Sequence, residues 1–179
     1  MQTIAERIEL SNPDAYRQKL FSLLGQVEPL VVLSKTADAL AGIIAEHSPA
    51  KLRRRPFEGK WTPNEVIGHL MDTEWVFGYR IRTILCDDRP TIIGMDQEKW
   101  VAVQQHNERE PRELIENFRA MRTITLGLLR RITPTQQQRV GLHSERGEES
   151  IGLMMKMIAG HDLSHLDQIR RYLAALDGK

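Results

Sequence analysis

His161 and His165 stand four residues apart in Ala159-Gly160-His161-Asp162-Leu163-Ser164-His165-Leu166. Four residues is about one turn of an α-helix, so both imidazoles leave the same face. His69 lies 92 positions before His161, in Ile67-Gly68-His69-Leu70-Met71-Asp72, which is also strongly helical sequence. Three imidazoles on two packed helices make a donor set for one divalent metal and leave a coordination position for water or substrate. The pair is not the H-E-x-x-H of a zinc protease, because Asp162 follows His161 and no glutamate separates the two histidines. The competing reading is a set of core histidines, each satisfied by a hydrogen-bond partner, since an unsatisfied buried polar group costs roughly 1–3 kcal/mol. His106 and His143 fall in loop-like sequence and are weaker candidates, and His47 suits a helix end or the surface.

Other side chains surround this candidate centre. Asp72, three residues after His69, is the candidate catalytic residue. It is placed to act as a general base or as an acceptor for a histidine N–H, with an exposed ion pair as the alternative. Glu74 falls on a different face and suits a structural ion pair. Arg80 continues the stripe of His69, Thr73 and Val76, where it could meet an anionic substrate or pair with a carboxylate. Asp162 is turned about 100° from His161, which favours a role in holding helices together. Trp61, Trp75 and Trp100 read as packing residues, with Trp100 suited to a pocket mouth.

The elements that must position these groups are helical. Asn12-Pro13-Asp14 opens a helix that Gly25 stops, Pro29 opens a short one through Leu33, and Thr36 can cap a third that ends before Pro49. These early segments read as a broken N-terminal helical arm. Trp61-Thr62-Pro63-Asn64-Glu65 combines an N-cap, a proline at the first helical position and a T-x-x-E capping box. A helix of about 24 residues follows, with an apolar stripe at spacings of three and four that includes His69. Residues 87–95 read as a loop, residues 95–103 as a short helix, and Pro111 to about Ile132 as another long helix. Residues 139–149 read as irregular. Ser150 caps a last helix running to Leu176, whose stripe carries His161 and His165. No segment shows the sustained alternation that marks a strand. The pattern predicts a single all-α domain over residues 1–179, a four-helix bundle with at least one crossover connection.

The chain has 179 residues, 41% hydrophobic and 27% charged, with a formal net charge of +1. Near-neutral charge and the lack of a basic stripe argue against nucleic acid or an anionic membrane as partner. A single cysteine, Cys86, excludes an internal disulfide. The N-terminal sequence lacks the apolar core of a signal peptide, and no apolar run reaches the roughly 20 residues that span a bilayer. A cytoplasmic location is expected.

Trp61-Thr62-Pro63-Asn64-Glu65-Val66-Ile67-Gly68-His69-Leu70, with Asp72 and Glu74, resembles the first motif of the DinB-like (YfiT-like) superfamily. His161-Asp162-Leu163-Ser164-His165-Leu166-Asp167-Gln168-Ile169 resembles its last. The resemblance covers nearly the whole chain. It implies an up-down-down-up four-helix bundle and a divalent metal held by three histidines, which fall on His69, His161 and His165. It also implies an enzyme of the kind found among bacillithiol- and mycothiol-dependent transferases, an isomerase and metal-dependent hydrolases. The expected function is thus metal-dependent S-transfer or hydrolysis on a small molecule, with a low-molecular-weight thiol as candidate cosubstrate. The alternative is a non-catalytic metal-binding or interaction bundle. Three imidazoles suit zinc, nickel, copper and iron, with zinc or nickel the first choice. The apolar faces of the N-terminal segments are consistent with a homodimer.

Overall fold

A computed structural model describes residues 12–178, so the readings of the first eleven residues lie outside it. Four helices form the bundle: α2 (Pro29–Ala45), α4 (Pro63–Cys86), α6 (Pro111–Leu129) and α8 (Ile151–Leu176). Their pairings give their directions. Thr36 meets Asp162 and Lys51, just beyond α2, meets Asp177, so α2 and α8 run parallel. Arg119 reaches Asp38 while Arg122 reaches Leu33, so α6 runs against α2. Asn64 reaches Arg109 and Glu74 meets Arg122, so α4 and α6 run together. The arrangement is therefore up-down-down-up. A further helix, α1 (Pro13–Leu24), lies along α8, and short helices α3 (Pro49–Leu52), α5 (Gln97–Val103) and α7 (Pro134–Gln137) sit in the connections.

Local sequence explains the long helices. Thr62 Oγ1 accepts from the Glu65 amide at 3.1 Å, and the Thr62 amide donates to Glu65 Oε2 at 2.6 Å, closing the expected capping box on α4. Ser150 accepts from the Leu153 amide at 3.1 Å and starts α8. The early arm differs from expectation. Residues 29–45 form one uninterrupted helix that belongs to the bundle, and only α1 is extra. Thr36 is not a cap: it is buried in mid-helix and donates to Asp162 Oδ2 at 2.7 Å.

Residues 139–149 are also not irregular. Strands β2 (Val140–His143) and β3 (Gly147–Ser150) form an antiparallel hairpin, and β1 (Thr91–Ile92) pairs parallel to β2. The usual alternation is inverted in β2. Gly141 and His143 face inward while Leu142 is exposed, so hydropathy gives no strand signal. Gly141 is required there, because a Cβ would stand 2.9 Å from Cγ1 of Ile84.

Two apolar clusters fill the bundle. One joins Leu40, Leu70, Phe118 and Ile169; the other joins Leu33, Ile81, Leu129 and Ile158. A buried charge network crosses the same interior. Arg122 donates from Nε to Glu74 Oε2 (2.7 Å), from Nη1 to Asp162 Oδ2 (2.6 Å) and Leu33 O (3.1 Å), and from Nη2 to Asp162 Oδ1 (3.2 Å). Its guanidinium also lies 4.6 Å from the Phe118 ring centroid. Burial alone would pull this guanidinium down, but Asp162 and then Glu74 hold it above its ordinary value. Burial pushes the Glu74 carboxyl up, and Arg122 opposes that push.

Arg122→Ala leaves two buried carboxyl groups without their counter-charge. The expected loss is about 3–5 kcal/mol, a fall of roughly 6–20 °C in thermal midpoint, readable by urea and thermal denaturation.

Candidate metal centre

The three histidines converge between α4 and α8. His69 Nε2 lies 3.1 Å from His161 Nε2, and His161 Nε2 lies 3.0 Å from His165 Nε2. The three ligand-capable atoms all lie within 4.8 Å of one another. A tetrahedral zinc site with bonds of about 2.0–2.1 Å would separate its nitrogens by about 3.3 Å. The rings therefore need only small shifts to share a cation.

A glycine precedes each of the two deeper histidines, and in both places a neighbour presses close. A Cβ at Gly160 would stand 2.4 Å from the carbonyl oxygen of Leu20, so α1 rests against α8 beside His161. A Cβ at Gly68 would stand 2.3 Å from Cγ of His106, so that imidazole rests on α4 beside His69. Trp61 covers His69, with ring centroids 4.9 Å apart.

Hydrogen bonding identifies what the nitrogens lack. His165 Nδ1 is 2.6 Å from Gln168 Oε1, an acceptor, so Nδ1 carries the proton and Nε2 is bare. Gln168 is itself oriented by a bond from its Nε2 to Tyr172 Oη at 2.9 Å. His161 Nε2 contacts both other histidines, but one N–H cannot serve two acceptors in this geometry. At least one lone pair therefore faces another nitrogen with no proton between them. A cation satisfies all three at once, so the donor set fits a divalent metal. Among the described residues, Nδ1 of His69 and of His161 are buried without a partner, so no acceptor there fixes their tautomers.

Electrostatics keep the rings in the form that ligates. Burial, then His165 and His106, holds the His69 imidazole well below its ordinary value. Burial, then His165, His69 and Arg122, does the same at His161. Burial lowers His165 to about 4 despite the opposing bond to Gln168. All three are neutral near pH 7.

A cavity of about 370 Å³ opens on His69 and His161, with Thr73, Arg80, Glu98 and Glu145 in its walls. Arg80 is buried, donates to the carbonyl oxygen of Ile93, and is lowered to about 10 by burial and by Arg146. It does not pair with Glu74, which belongs to Arg122. Asp72 faces elsewhere. Its Oδ2 accepts from His106 Nε2 at 2.7 Å and from Gln104 Nε2 at 3.0 Å, and among the described residues no hydrogen bond joins it to the three-histidine cluster. His106 is fully buried, and its backbone carbonyl accepts from Asn64 Nδ2 at 2.7 Å. Sequence pattern understated this residue, and the one signal pointing to it was Gly68, the small residue that admits it. His143 is likewise buried and is lowered to about 4 by burial and then by Arg146; its Nδ1 accepts from the Glu145 amide at 3.1 Å.

Residues 33–169 match the model of the DinB superfamily. The chain belongs to the DinB superfamily. It is 27% identical over 121 residues to the Putative metal-dependent hydrolase OB0413 of Oceanobacillus iheyensis, covering 68% of this chain and 69% of that protein. It is 30% identical over 112 residues to the Putative metal-dependent hydrolase OB0782 of the same organism, covering 62% and 64%. The solved structure of YfiT from Bacillus subtilis, described as a probable metal-dependent hydrolase with an unusual four-helix bundle topology, superposes with a TM-score of 0.74 at 19% identity, covering 82% of this chain and 86% of that one. That likeness establishes the fold.

The depressed imidazoles set an acid limit on the metal-free protein. An unfolded histidine titrates near 6.5 and folded His165 near 4, so between these values the unfolded chain binds the proton and the folded chain does not. This contribution to stability is fully present above about pH 6.5 and is lost as pH falls toward about 4. Urea midpoints of chelator-treated protein should fall over that window, with a flatter profile for His165→Ala.

Proposed function

We propose that this DinB-superfamily chain is a metal-dependent enzyme acting on a small molecule, with His69, His161 and His165 as the ligands of one divalent cation. The observation that carries this reading is the triple convergence of neutral imidazole nitrogens beside a cavity large enough for a small molecule. Zinc or nickel fits the all-nitrogen donor set. When bound, such a cation supplies Lewis acidity at an open coordination position.

The chain's own residues supply the remainder. Arg80 brings a guanidinium to the cavity wall, where it attracts an anionic part of a substrate. The Thr73 hydroxyl lies 3.5 Å from His69 Nε2 and offers a hydrogen bond at the cavity floor. Glu98 and Glu145 place carboxylates in the walls, within the space where a proton must be taken or given. Trp61 excludes water from the buried side of His69. Asp72 enters as a positioning residue, because its bond to His106 holds that ring against Gly68, one residue before His69. Hydrolysis is supported by the names of the relatives. Thiol transfer with a low-molecular-weight thiol is supported by the resemblance of the two histidine motifs to those of the thiol transferases. A homodimer is consistent with the exposed apolar side chains Leu23, Val27 and Val31 on and after α1.

Metal titration tests the ligand set. The protein should bind one zinc or nickel per chain, and His69→Ala or His161→Ala should weaken binding at least tenfold. Gln168→Ala, which frees His165 Nδ1 while leaving all three ligands, should weaken it by about 10–100-fold. Saturating metal at a hundredfold excess over Kd should stabilise the fold by about 2.7 kcal/mol. Turnover of activated esters and conjugation of a thiol to an electrophile should both be assayed with and without chelator. Metal binding with no turnover in either assay would return the chain to a binding role.

A further inference from the structure

A second cavity, about 920 Å³, is separate from the one beside the histidines. It lies between α4, α5 and α6, and its volume falls within the roughly 300–1,000 Å³ of small-molecule sites. α4 separates the two spaces. His69, Thr73, Phe77 and Arg80 turn to one, Met71, Asp72 and Trp75 to the other, and only Asp96 borders both.

We propose that this second cavity binds a planar aromatic molecule carrying a protonated amine. Its wall is built from Trp75, Trp100, Met71 and Met121. The two indoles stand 6.3 Å apart at 49°, and Trp75 is braced by Tyr79, stacked 6.2 Å away at 10°. Trp75 is nevertheless 57% exposed, an indole face held in place without a partner on its open side. Indole faces and thioether sulfurs favour an aromatic ring, and indole also attracts a cation.

The charged groups of the lining select the sign of the ligand. Lys99 and Asp96 are both exposed, are opposite in charge and sit where water screens them. Arg109 is committed to the carboxylate of Glu113 and to Met71 Sδ. Asp72 is the buried one, 4% exposed. Its Oδ2 is held by His106 and Gln104, which fixes the carboxylate plane, while among the described residues no hydrogen bond joins Oδ1, and Asp72 lines the cavity. An ammonium or amidine N–H meets that oxygen, and the ring it carries meets the indoles.

Tryptamine is a suitable probe, with indole-3-propionate as its acidic counterpart. Calorimetry at neutral pH on the metal-loaded protein should show saturable binding of tryptamine, at least tenfold tighter than indole-3-propionate. Asp72→Asn and Trp100→Ala should each weaken tryptamine at least tenfold, while His161→Ala should leave it within about threefold, since the site does not use the metal. If Asp72→Asn fails to fold, the Trp100→Ala variant and the comparison of the two ligands on the unmodified protein decide. No saturable binding of tryptamine, equal affinity for the acid, indifference to both cavity substitutions, or loss with His161→Ala would overturn the assignment.

Discussion

One guanidinium touches all four bundle helices. Arg122, on α6, bonds to Glu74 on α4, to Asp162 on α8 and to the Leu33 carbonyl on α2. A buried ion pair is weak evidence for stability by itself, because desolvation offsets much of its Coulomb energy. Its consequence here is register. Asp162 follows His161 directly, and Glu74 lies five residues after His69. A slip of either helix along the bundle would separate Arg122 from its partners and part the two histidines by the same motion. Apolar packing tolerates small slips more readily than a bidentate bond does, so the network fixes what the core alone leaves adjustable.

The histidines also depend on absences of side chain. Gly68 and Gly160 let His106 and α1 approach to distances that any Cβ would forbid. Each therefore brings a second element against the helix one residue before a ligand-type histidine. His69 and His161 are thereby buried, and burial is the first cause of their neutrality. Burial is also what lowers His165, while Gln168 opposes that lowering and instead fixes the tautomer. Burial keeps all three rings neutral and the oriented amide aims one of them, leaving nitrogens with lone pairs available at neutral pH.

Much of this was written in local sequence. The capping box at Thr62, the caps at Asn12 and Ser150, and the three-and-four spacing of α4 and α8 predict helices with the histidines on inner stripes, and the structure brings those histidines together. What escaped was long-range. Thr36 has the chemistry of a cap but serves Asp162, 126 positions away, and no local pattern shows such a partner. The hairpin escaped because β2 buries Gly141 and His143 and exposes Leu142, against the usual rule. Asp72 shares a helical face with His69 by spacing, yet its carboxylate turns to His106, which arrives from a turn 34 residues later. Spacing fixes where a side chain starts and says nothing of what is brought to meet it.

Charge balance ties the centre to the network beneath it. Three imidazoles are neutral ligands, so a divalent cation among them would carry its full charge into a poorly solvated place. The carboxyl groups of Asp162 and Glu74 outnumber the single Arg122 between them, and Asp162 raises the proton affinity of His165, which shows that its field reaches the cluster. Glu98 and Glu145 add acidic groups from the cavity side, against Arg80 and an Arg146 already bound to Glu149. The surroundings thus favour a cation at the point where the neutral ligands converge. The same groups would couple a bound cation to register, because the carboxylate that would offset its charge is the one that holds α8 to α6 and α2.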